Sequence, residues 1–230
     1  VLRSGHEITL GLLTGKEKIH FEDAQTEVID SVRKAPLTED ERRKIYCLLQ
    51  HVYFIHPEIV KNNPIKHPEF VRYAKYKTPN KANKVAPNNV KARDAFTQYT
   101  RVNLNSATNT NNPRLYGYTV AHIYGKPDDP LFFTAGYNLA LTLDSVAKFS
   151  DPQYTDNLFY WALTSAANLL HKDAIEDVKR LNPDMEIGIY YRPGELTDIA
   201  FPFWFKLNTL RPKQERSNGE AFYEVVQVHV

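Results

Sequence analysis

The sequence predicts an α+β fold: N-terminal helices, an embedded ββα hairpin-helix unit and a C-terminal antiparallel sheet. Three features carry that expectation: a capped helical stripe after Thr38, an aromatic and β-branched run at 116–124 followed by a second apolar run at 138–142, and alternation at the end of the chain. With 230 residues, 42% of them apolar and 24% charged, the chain is long enough to bury a core without staples. One compact domain is expected, built from a helical part at 1–60, a basic and Asn-rich connecting segment at 61–115, the ββα unit and its helix at 116–182, and a β part at 183–230.

The first clear element begins at Thr38-Glu39-Asp40-Glu41, a capping box in which a hydroxyl and a carboxylate satisfy each other's first-turn amides. Ile45, Leu48, Leu49 and Val52 then form one apolar stripe, and Pro57 is expected to end the helix. Residues 20–33 suggest an earlier helix carrying Val28, Ile29 and Val32. Residues 103–112 read as a polar surface loop. Asp151-Pro152 reads as an N-cap and first helical residue, followed by a stripe of Leu158, Trp161, Ala162, Ser165 and Leu169. Strands are expected at 186–191, 199–207 and 221–230.

Charge is unevenly distributed. Nine cations against Glu69 alone give residues 61–93 a net charge of +8, whereas the whole chain is only +2. Tyr73, Tyr76, Phe96 and Tyr99 are interleaved with these cations or follow them. Cations that neutralise phosphates, beside rings that stack on bases, suit a nucleic-acid strand. A solvated linker has the same composition. Arg72, Lys75, Lys77, Lys81, Lys84, Lys91 and Arg93 are the candidate nucleic-acid-binding residues, with Arg101 and Arg114 beyond them. Gly-rich phosphate loops are absent, and the single cysteine, Cys47, excludes Cys-based zinc sites and reads as a small core residue in a reducing compartment. No apolar run is long enough to span a membrane and the opening residues carry no export signal, so the expected location is cytoplasmic, with no membrane partner.

The run Val120-Ala121-His122-Ile123-Tyr124-Gly125-Lys126-Pro127, a loop, and then Tyr137-Asn138-Leu139-Ala140-Leu141-Thr142 resembles the ββα-metal core of HNH nucleases. In that family a His ends the first strand and an Asn opens the second; His122 and Asn138, 16 residues apart, match these positions. The likeness covers residues 116 to about 170. It implies a DNA-directed endonuclease, with restriction or defence as a role it could serve, in which His122 activates water, Asn138 orients it, and Mg²⁺ or Mn²⁺ stabilises the leaving oxygen. The expected partners are DNA and, as an option, a second copy of the chain. Where the family commonly places metal ligands the chain has Ala121 and Ala147-Lys148, so no ligand is assigned; Asp128, Asp129, Asp144 and Asp151 are nearby oxygen donors.

Three other readings remain open: a non-catalytic nucleic-acid-binding module, metal-free base excision, and a protein-interaction domain. Lesser candidates are His51, His56, and His67 with Glu69, none in a metal-binding spacing; the run Gly188-Ile189-Tyr190; and the polar group Tyr191, Arg192, Glu195 and Asp198.

Overall fold

A computed structural model describes residues 38–72, 83–102, 104, 117–147, 158–187, 201, 204–213 and 222–229. The fold is α+β: a five-stranded mixed sheet in the order β4 (Tyr118–His122), β5 (Leu139–Leu143), β1 (Tyr53–Ile55), β6 (Lys206–Pro212), β7 (Tyr223–His229), helices packed against it, and a separate parallel pair, β2 (Phe70–Arg72) and β3 (Lys84–Ala86).

Helix α1, Glu39–Leu49, follows Thr38 as the capping box predicts, and its stripe residues Ile45, Leu48 and Leu49 are buried. The helix does not run on to Pro57. It closes at Leu49, Val52 turns back onto the Leu49 carbonyl, and Tyr53–Ile55 becomes strand β1. The physical reason is the position of β1 at the middle of the sheet, antiparallel to β5 and parallel to β6. A central strand is covered on both faces, which suits three consecutive apolar residues. Pro57 instead starts α2, Pro57–Asn62.

The connecting segment is more structured than its composition suggests. Strands β2, Phe70–Arg72, and β3, Lys84–Ala86, lie parallel, and helix α3, Val90–Thr100, packs across β1, β6 and the strands that follow. Ala92, Ala95, Phe96 and Tyr99 of α3 are fully buried, so this helix belongs to the core.

Strands β4, Tyr118–His122, and β5, Leu139–Leu143, form the expected antiparallel hairpin, followed by the short helix α4, Asp144–Ala147. Helix α5, Leu158–Leu170, buries Phe159, Ala162, Leu163, Ala166, Ala167 and Leu170. Ala162 and Ser165 of the expected stripe are buried and Trp161 packs against the core, whereas Leu169 is 42% exposed. Helix α6, Lys172–Leu181, packs on α2, and Lys61 and Asp173 join the two with an ion pair at 2.8 Å. The C-terminal strands β6, Lys206–Pro212, and β7, Tyr223–His229, are antiparallel but form no sheet of their own; β6 joins the main sheet through β1. The expected helix at 20–33, the helix cap Asp151-Pro152 and the region 188–200 lie outside the described residues, as does all of the 103–112 loop except Leu104. Among the described residues no helix is long and apolar enough to cross a membrane.

Candidate active site

The loop joining β4 to β5 is clasped by the chain that follows α2. Gly136 N–H donates to the Pro64 carbonyl at 2.8 Å, Ile65 bridges to Ala135, His67 N–H donates to Thr134 Oγ1 at 3.0 Å, and Arg72 N–H donates to the Pro127 carbonyl at 2.7 Å. These contacts bring the start of the basic segment alongside the hairpin. Gly136 makes the close approach possible: a Cβ there would lie 2.8 Å from Val60 Cγ2 and 3.2 Å from Tyr99 Cζ. Gly136→Ala is expected to destabilise the fold by about 1–3 kcal/mol through overpacking, read as a lower midpoint in urea at unchanged slope.

His122 closes β4 opposite Leu139. Its ring stacks on Phe133, with centroids 5.6 Å apart and 14° between planes, and only 9% of the residue meets solvent. Nε2 lies 3.0 Å from the Phe133 carbonyl. A carbonyl only accepts, so Nε2 carries the proton and Nδ1 carries the lone pair. Burial pushes the imidazole down to about 4; the Phe133 carbonyl partly opposes this, and the positive charge of Arg72 adds to it. At neutral pH the ring is therefore uncharged, with one nitrogen fixed and the other able to accept a proton.

Asn138 does not orient this ring. It ends the 3₁₀ turn Gly136–Asn138 and is fully buried. Its Oδ1 accepts from Tyr124 N–H at 2.7 Å, and its Nδ2 donates to the carbonyls of Gly125 at 3.1 Å and Phe132 at 2.9 Å. The side chain thus uses both N–H groups and a lone pair on loop backbone. The geometry corrects the expected division of labour: the Phe133 carbonyl orients His122, and Asn138 fastens the loop that carries this carbonyl. Nothing in residue type marks a backbone carbonyl as an orienter, which is why the sequence did not reveal it.

The described cations gather in part. On β2 and β3, Phe70 pairs with Lys84 and Arg72 with Ala86. Phe70 and Arg72 are two apart on one strand and share a side of it. Lys84 Nζ and Lys91 Nζ lie 5.7 Å and 4.9 Å from the centroid of the Phe70 ring, and Lys91 also pairs with Asp94 at 3.6 Å. Arg72, Lys84 and Lys91 thus form a basic ledge around Phe70, with Arg72 at the end near His122. Arg93 departs from that pattern: it is half-buried, and its Nε is enclosed without a hydrogen-bond partner among the described residues. Lys75, Lys77 and Lys81 lie outside the described residues. A cation not singled out from the sequence, Lys126, sits in the hairpin loop with its Nζ 5.0 Å from the Phe132 ring centroid, where it donates to the Glu186 carbonyl.

The described residues do not by themselves offer a metal centre. Among the described residues no three His, Cys, Asp or Glu side chains gather into a ligand set. Asp129 Oδ1 caps the turn by accepting from Leu131 N–H at 2.9 Å, and Asp144, whose pKa is raised by burial, starts α4. Compared with protein-family models, characterised proteins and solved structures, the chain matches none.

Proposed function

We propose that the protein is a DNA-directed endonuclease of the HNH type, in which His122 is the water-activating base. The observation that carries this reading is the neutral imidazole fixed by the Phe133 carbonyl at the end of β4, with Arg72 close enough to oppose its protonation. In the proposed step Nδ1 takes a proton from water, and the water oxygen attacks phosphorus in line as the bond to the leaving oxygen breaks. Arg72 holds the non-bridging oxygens, and Lys84 and Lys91 hold the flanking backbone. The Phe133 carbonyl steadies the imidazolium once it forms. A ring with a pKa near 4 is a weak base, and bound phosphate offsets part of that weakness by neutralising Arg72.

The test is plasmid cleavage with Mg²⁺, with Mn²⁺ and with chelator, so that the ion's role is measured directly. Wild-type protein is expected to nick the plasmid, and His122→Ala to lower the rate by about 100- to 10,000-fold while still binding DNA. A second reading, a non-catalytic nucleic-acid-binding module, draws support from the full use of the Asn138 amide on loop backbone; salt-sensitive binding without cleavage under any metal condition would favour it. Alkali-labile sites that still form under chelation would instead indicate base excision.

A further inference from the structure

Three strands across the sheet from β4 lies a second concave site that uses none of the residues above. Strand register sets Tyr53 of β1, Asn208 of β6 and Gln227 of β7 in one row across three neighbouring strands. Residues paired in this way share a face. Together with Trp204 and Lys206 they line a cavity of about 440 Å³, within the size range of small-ligand sites.

Trp204 is 57% exposed, yet its ring is held in place. It makes T-shaped contacts with Tyr46 at 5.8 Å and Phe205 at 6.2 Å, and Phe205 is itself stacked on Phe201 at 5.2 Å. A large apolar ring fixed by neighbours and left largely bare is ready for a planar ligand. The amides beside it are ordered in series: Asn208 Nδ2 donates to the Gln50 carbonyl at 2.7 Å, and Gln227 Nε2 donates to Asn208 Oδ1 at 3.2 Å. This chain fixes the Gln227 amide plane and leaves its Oε1 and second N–H without a protein partner among the described residues. Acceptor and donor then stand side by side, the pattern that matches the edge of a nucleobase.

We propose that this cavity binds a nucleobase, with Trp204 stacking on its face, Gln227 pairing with its edge and the exposed Lys206 meeting the attached phosphate. The cation favours a nucleotide over a neutral sugar, which could also stack on tryptophan. The base could belong to an unpaired stretch of nucleic acid or to a free nucleotide.

The experiment uses the full chain carrying Trp161→Phe, so that Trp204 is the sole tryptophan. Its fluorescence is followed during titration with each of the four nucleoside monophosphates, with single-stranded oligonucleotides, and with a neutral disaccharide. Saturable quenching by a mononucleotide or an oligonucleotide is expected; response to the oligonucleotide alone identifies a strand as the source, and comparable response to mononucleotides identifies the free nucleotide. By calorimetry, Gln227→Ala is expected to weaken binding by about tenfold, the value of one bidentate amide–base pair, and Trp204→Ala to abolish it. Both side chains are exposed, and unchanged thermal midpoints confirm that the variants fold. No saturable response to any nucleotide, a response to the disaccharide alone, or calorimetric binding undiminished in Trp204→Ala overturns the proposal. Binding is read without cleavage, so failure here and failure of the nuclease reading are separable.

Discussion

Asn138→Ala is expected to destabilise the protein by about 3–5 kcal/mol, enough to lower the thermal midpoint by roughly 10 °C in a chain of this size. The side chain satisfies three backbone groups inside the hairpin loop: Tyr124 N–H and the carbonyls of Gly125 and Phe132. Truncation leaves these groups buried, and the fully enclosed position gives water little room to replace the amide. Asn138→Asp is expected to be comparably harmful at neutral pH, because a carboxylate keeps the bond to Tyr124 N–H but sets an acceptor against two carbonyls. Denaturant unfolding of both variants checks this. If Asn138 instead served chemistry alone, both variants would keep their unfolding midpoints and lose only activity.

The second large effect is acid destabilisation. The rings of His122 and His171 are driven by burial to about 4 and about 3, and His171 is pushed further down by His56 nearby. Unfolded, each titrates near 6.5, so below that pH the unfolded chain binds protons that the folded one refuses. Stability from these groups is complete above 6.5, falls as the pH drops below it, and keeps falling until each folded ring titrates. At a pH of about 5 the two together are expected to have lost about 4 kcal/mol relative to neutrality. Both ring nitrogens of His171 are buried without a partner among the described residues. His171→Leu should therefore hold or raise stability at neutral pH and remove about half of the pH dependence. Urea midpoints across this range test it; a flat profile in wild type, or an unchanged slope in His171→Leu, would contradict the burial argument.

The relation between His122 and Asn138 was not legible in the sequence. His122 and Asn138 stand out because of their side-chain chemistry and their places at the ends of two strands. The group that orients the imidazole is a main-chain carbonyl in the intervening loop, and any residue at 133 would supply one. The basic ledge was legible from charge, but its approach to the hairpin was not, because it depends on backbone bonds from residues 64–72 to the loop. Among the elements, α1 followed from its capping box and stripe. Strand β1 was hidden because Val52 continues the spacing of the helical stripe, and the three apolar residues Tyr53-Phe54-Ile55 carry no period of their own. Helix α3 was masked by surrounding cations and by a buried face built partly from alanine. Alternation pointed to β7, whereas the pairing of β6 with β1 is a long-range choice that local pattern does not encode.

The most direct measurement is long-range ¹H–¹⁵N NMR of the His122 ring across a pH titration of the free protein. The expected result is a neutral ring with its proton on Nε2, titrating near 4, and a rise in that pKa when a short DNA duplex binds at Arg72. A proton on Nδ1, or titration at or above the ordinary histidine value, would contradict it.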